Sequence, residues 1–90
     1  MPERMTPLIK RLRYRAHHMG TQENDLLFGA FADRHLGDFD EAQIARFQAL
    51  LEENDPNLFD WVTGRKPVPA RHDHDVLQLL RSFRLVGETS

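Results

Sequence analysis

Apolar residues recur along this chain at steps of three and four, the spacing of one face of an α-helix, over nearly its whole length. Thr6-Pro7 has the form of an N-cap followed by proline at the first helical position. Met5, Ile9, Leu12, Ala16 and Met19 then mark a first core stripe, and Arg11, Tyr14, Arg15 and His18 fall on another face. Gly20 breaks the pattern and suits a left-handed C-cap. Thr21 caps a second helix, with Gln22, Glu23 and Asp25 near the positive end of its dipole. Leu27, Phe31 and Leu36, flanked by Leu26, Phe28 and Ala30, give that helix a broad apolar face, and Gly37 ends it. Asp40 with Gln43 reads as a capping box for a third helix whose stripe is Ile44, Phe47, Leu50 and Leu51.

Asn54-Asp55-Pro56 reads as a stop and restart, with Asp55 as cap and Pro56 first in a short helix. That helix carries Leu58, Trp61 and Val62, with Trp61 as its core anchor, and ends at Gly64. Pro67 and Pro69 make residues 65–71 an extended loop. A last helix presents Val76, Leu77, Leu80 and Phe83 and gives way to a tail at Gly87. No stretch alternates with period two over the length of a strand. The prediction is all-α: a compact single-domain bundle of about five helices over residues 1–90, with 1–5 and 87–90 as frayed tails.

Length and composition narrow what such a bundle does. A chain of 90 residues buries only about 60–65 % of its unfolded surface, which leaves little room for a cleft around a large cofactor and favours work done by the outer surface. The absence of cysteine excludes disulfides, thiolate metal sites and thiol catalysis. A formal net charge of -2 argues against a polyanion-binding chain. No apolar run approaches the roughly 20 residues that span a bilayer, so no membrane insertion is expected. The start, MPERMTPLIKRLRYR, runs into a helical pattern without an apolar leader, which predicts a cytoplasmic protein. Each stripe can turn inward and leave no second apolar face, which predicts a monomer when free.

Several features are candidates for chemistry. Lys10 to Arg15 is the densest cationic segment, with Arg4 upstream. It reads as a solvated helix face, as a docking surface for an acidic partner, or as a nucleic-acid contact with Tyr14 stacking. The acidic residues elsewhere and the lack of a second basic element speak against nucleic acid. At the first corner, Gly20 lets another backbone approach closely and Glu23 stands one turn on as an acceptor; capping alone would account for both. His17-His18 chelates poorly because helical neighbours diverge by about 100°. His72-Asp73-His74-Asp75 has metal-like composition but too few convergent ligands for a zinc site, so no metal is expected. No nucleophile–base pair and no glycine-rich phosphate loop is present, so no catalytic residue is assigned.

The order of these features carries a resemblance. Arg11-Leu12-Arg13-Tyr14-Arg15-Ala16, then Gly20-Thr21-Gln22-Glu23-Asn24-Asp25-Leu26-Leu27 and Phe31-Ala32, resemble the family of succinate dehydrogenase assembly factors that promote flavinylation, in its bacterial members. Phe47-Gln48-Ala49-Leu50-Leu51-Glu52, Asp55 to Gly64 and the Val76 to Phe83 helix fit its second half. The resemblance implies a five-helix bundle that binds the flavoprotein subunit of succinate dehydrogenase, with fumarate reductase as a second client. It implies help in attaching FAD covalently to a histidine of that partner, with no flavin held stably by this chain and no enzymatic step of its own.

The family's Arg-Gly-x-x-Glu corner reads Met19-Gly20-Thr21-Gln22-Glu23 here, so glycine and glutamate carry over to Gly20 and Glu23 and the arginine does not. The resemblance makes Gly20 and Glu23 the contact centre, with Arg15, Met19 and Thr21 around them and Arg11 and Tyr14 in support. Two alternatives stay open: a regulatory protein-binding module, antitoxin-like by analogy, and a small nucleic-acid binder.

Overall fold

A computed structural model of the protein describes the backbone of residues 6–89 and the side chains of residues 6–84. Five α-helices follow one another: α1 (Pro7–His17), α2 (Gln22–His35), α3 (Glu41–Leu51), α4 (Asp55–Thr63) and α5 (Asp75–Thr89). Short 3-10 turns at Leu36–Asp38 and Ala70–His72 join α2 to α3 and α4 to α5. No strand occurs among the described residues.

Local signals set most of these boundaries. The Thr6 hydroxyl accepts from the Ile9 amide, and Pro7 follows at the first helical position, where its missing N–H costs nothing. Asp40 and Gln43 close a reciprocal capping box, with each side chain accepting from the other residue's amide. Gly64 ends α4 in the left-handed region at φ 81°. Other boundaries depart from the sequence reading. Asn54, not Asp55, caps α4 by accepting from Asn57, so the helix starts one residue early and the Asp55 side chain is released for another task. Gly37 lies inside a 3-10 turn without a positive φ. The 65–71 loop closes into the second 3-10 turn. His74 precedes α5, and its Nδ1 accepts from the Leu77 amide, the capping role expected of Asp73 or Asp75. Helix α5 continues past Gly87 to Thr89, whereas Met1 to Met5 and Ser90 lie outside the described residues.

The core collects Ile9, Leu12 and Ala16 from α1, Phe28, Phe31 and Ala32 from α2, the stripes foreseen for α3 and α4, and Val76, Leu77 and Leu80 from α5, with Phe83 partly buried against it. Phe31 is its centre: its ring lies 5.7 Å from Phe47, 5.9 Å from Phe39 and 5.6 Å from Phe83. Burying one such ring is worth about 1.5–3 kcal/mol, and this cluster joins α2, α3 and α5. Trp61 is buried, as its sequence position implies, and its ring lies 5.4 Å from that of His72.

Two polar contacts pin the helices laterally. At the end of α1, His17 Nε2 lies 3.1 Å from both carboxylate oxygens of Asp33 on α2, and Arg13 reaches the same carboxylate at 3.4 Å. Buried Gly29 makes this approach feasible, because a Cβ there would sit 2.7 Å from His17 Cε1 and 2.9 Å from Cγ. On the other side, buried His72 Nε2 lies 2.6 Å from Glu53 Oε2, and Arg71 donates to the same oxygen at 3.2 Å. His72 Nδ1 is buried without a hydrogen-bond partner among the described residues. The chain after α3 is thereby tied to the turn before α5.

Two outcomes follow from these pins. Gly29→Ala forces the His17 ring off Asp33, whereas in a His17→Ala background the same change gains helix propensity of about 1 kcal/mol. A thermal-denaturation double-mutant cycle should show coupling of about 1 kcal/mol between the sites; additive effects would contradict the packing. The His72 hydrogen bond, with Arg71 after it, holds the Glu53 carboxyl below its ordinary value. A lowered carboxylate stabilises the fold above the ordinary pKa of about 4.3, and that contribution is lost as pH falls through its own lower value. Stability should therefore fall more steeply below about pH 4.3 in the wild type than in Glu53→Gln; parallel pH profiles would refute the pin.

Candidate docking corner and groove

Between α1 and α2 the chain turns in four residues, and successive amides there have no helical partner. Asp25 Oδ1 accepts from the Met19 amide and from the Gly20 amide, the latter at 3.2 Å. Asp55 Oδ2, reaching across from the start of α4, accepts from Thr21 at 3.0 Å. The Thr21 hydroxyl caps α2 by accepting from Asn24 at 3.3 Å. Asn24, fully buried, donates from Nδ2 to the Asp55 carbonyl at 3.1 Å. One acidic residue from each of two helices thus holds the corner, and buried Asn24 bolts it to α4.

Gly20 sits at φ 134°, a conformation L side chains rarely adopt, and its Cβ would meet Asp55 Oδ2 at 3.1 Å. It is therefore not a left-handed C-cap, since α1 is already closed by His18, whose amide donates to the Arg15 carbonyl. It is the residue that lets the turn pass beneath Asp55.

The predicted site residues divide by what they touch. Gly20, Thr21 and Glu23 are exposed and adjacent at the corner. Glu23 makes no hydrogen bond or ion pair among the described residues, unlike Asp25 and Asp55 beside it. Met19 is partly buried against the core. Arg15 donates from Nη2 to the Leu51 carbonyl at 3.1 Å, a cation placed on the C-terminus of α3. Tyr14, 64 % exposed, stacks on His18 with centroids 4.1 Å apart, and Arg11 is exposed on the same helix.

Other side chains near the corner were not foreseen. Asp55, Asn24 and Asp25 build it, although their sequence signals read as simple capping. A groove of about 610 Å³ runs from Glu23 along Leu26, Leu27 and Ala30 of α2 to Phe59 of α4 and to Phe83 and Arg84 of α5. A hollow of about 190 Å³ lined by Thr21, Glu23, Asp55, Pro56 and Phe59 adjoins it. Helix α2 turns Asn24, Phe28, Phe31 and Ala32 inward, so Leu26 and Ala30 face outward, with Leu26 67 % exposed. The expectation that no second apolar face remains is thus corrected. Helix α2 is apolar around most of its circumference, and a bundle this small covers one side of it.

The histidine pair near α5 is occupied by the fold. His72 Nε2 meets Glu53 and His74 Nδ1 accepts from Leu77, while burial, more than the nearby His72 and Arg46, lowers the His74 pKa. No group of three or more metal-ligating side chains converges among the described residues.

The family model described as flavinator of succinate dehydrogenase matches residues 10–84. The chain belongs to that family. Three relatives illustrate it, all named succinate dehydrogenase assembly factor 2, mitochondrial. That of Drosophila grimshawi is 39% identical over 74 residues, covering 80% of this chain and 50% of the relative. That of Dictyostelium discoideum is 35% identical over 74 residues, covering 82% and 52%. That of Mycosarcoma maydis is 44% identical over 66 residues, covering 73% and 28%. The chain spans about half the length, or less, of these curated relatives.

One expectation changes. These relatives are eukaryotic. Their names place them in mitochondria, which overturns the cytoplasmic expectation. That expectation rested on the lack of an apolar leader, a test blind to mitochondrial targeting segments, which are amphipathic and arginine-rich. No described helix is long and apolar enough to cross a membrane.

The flavinator-family corner makes its own prediction. Asp55→Ala leaves the Thr21 amide without its acceptor and should cost about 1–2 kcal/mol of stability. Faster hydrogen exchange at Thr21 than in the wild type is the specific readout; unchanged exchange there would refute the bridge.

Proposed function

We propose that this chain docks on the flavoprotein subunit of succinate dehydrogenase and promotes covalent attachment of FAD to it, without a catalytic step of its own. The observation that carries this reading is the flavinator-family match across residues 10–84, which includes the whole corner. The corner is rigidly built, yet it leaves Glu23 and the outward edge of Gly20 and Thr21 unspent. The flavin is the partner's: the chain works as a clamp, favouring a conformer of the flavoprotein in which the histidine and the flavin are aligned. Such a clamp shifts the partner's population by its differential affinity for that conformer and no more.

Met19 bears on how strongly the clamp works. Its thioether cannot form the paired, charge-assisted bonds of the family's arginine. Arg15, the nearest substitute in sequence, is committed to the Leu51 carbonyl. Recognition of an anionic group at this corner is therefore weaker than an arginine at position 19 would give, and recognition rests on Glu23 and on shape.

The test is covalent flavin fluorescence on the denatured flavoprotein, in cells lacking their own factor. This chain should restore the signal, Glu23→Ala should reduce it about tenfold, as loss of one contact worth about 1.4 kcal/mol does, and Met19→Arg should raise it. A folded, expressed chain that gives no signal, with Met19→Arg equally silent, would overturn the proposal.

A further inference from the structure

The groove beside the corner has no role in the fold, and its chemistry is specific. Its floor is apolar, built by Leu26, Leu27 and Ala30 of α2 with Phe59 and Phe83 facing them from α4 and α5. Leu26 stands 67 % exposed at its lip, the most exposed large aliphatic side chain described. This apolar lining is open for contact beside the corner. At one end stands Glu23, whose carboxylate has no partner among the described residues, although the acidic residues on either side of it are consumed by backbone amides. Arg84 of α5 also lines the groove.

The occupant follows from that layout. The groove is an open trough between three helices, so it does not enclose a small molecule on most sides as a ligand pocket does. A trough with one apolar floor and one acidic end matches a peptide segment with a single apolar face and a basic residue at the matching end. The trough is also continuous with the corner, since Glu23 lines both it and the Thr21–Asp55 hollow.

We infer that this groove receives an amphipathic segment of the flavoprotein subunit, its apolar side chains on Leu26, Phe59 and Phe83 and a lysine or arginine against Glu23. The inference rests on the proposed function for the partner's identity and extends the contact from the corner to the length of α2. It accounts for the outward apolar face of α2, which adds nothing to the core.

The experiment is titration of the purified flavoprotein subunit, free of FAD, into the full chain by calorimetry. Leu26 is exposed, so Leu26→Glu should leave helicity and melting unchanged while weakening binding by about tenfold or more, the scale of a lost hot-spot contact. Leu26→Met, which keeps an apolar side chain of similar size, should bind as the wild type does. Glu23→Gln should weaken binding and flatten its salt dependence. Wild-type affinity in Leu26→Glu would overturn the groove while leaving the corner and the proposed function standing. No binding by the wild-type chain would bring down the function and the groove together.

Discussion

The bridging of the first corner by two aspartates is the constraint on which the other features of the candidate site depend. Three consecutive amides, those of Met19, Gly20 and Thr21, are satisfied by Asp25 from one side and Asp55 from the other. A turn this tight leaves amide donors without helical acceptors, and the two aspartates supply them. The solution ties α1, α2 and α4 together at one point, with Asn24 buried beneath it. It also fixes Gly20 in a conformation that only glycine adopts without strain, so the residue is dictated by the bridge before any partner is considered.

The bridge shapes the site by what it consumes. Of the carboxylates of Glu23, Asp25 and Asp55, two accept from backbone amides, and that of Glu23 has no hydrogen-bond or ion-pair partner among the described residues. The same architecture sets the orientation of α2. With Asn24 and Phe28 turned inward, the next apolar positions along the helix have nowhere to go but outward, and the groove opens beside Glu23. Rigid placement of a charge next to an apolar trough suits an adaptor, because a preorganised surface loses little entropy on docking. On the proposed function, the flavoprotein supplies the chemistry and this bundle supplies the fixed face.

Much of the fold was legible in the sequence, because helix periodicity and capping are local. The Thr6-Pro7 start, the Asp40–Gln43 box and the Gly64 stop are each decided by neighbours within four residues, and each is found where the pattern places it. The misreadings are non-local. Asp55 satisfies every local rule for an N-cap, yet Asn54 takes that role because Asp55 is drawn to Thr21, 34 residues away. His74 caps α5 in place of a neighbouring aspartate because Asp75 is held by Gln43 and Arg46 of α3. On α2 the near-continuous apolar run 26–32 fits two faces equally well, and contacts from elsewhere in the chain, α1 against Gly29 and Asn24 against Asp55, accompany the choice of the buried one. The corner residues themselves came from resemblance to a family, since capping explains Gly20 and Glu23 from local chemistry alone.

The central claim is that the α1–α2 corner is the surface presented to the flavoprotein. Site-specific photocrosslinking tests it most directly, with a photoreactive side chain at Gln22, exposed at the corner, or at Ala45, exposed on α3. The account predicts a covalent adduct with the flavoprotein subunit from position 22 and none from position 45. An adduct from 45 and none from 22 would contradict it.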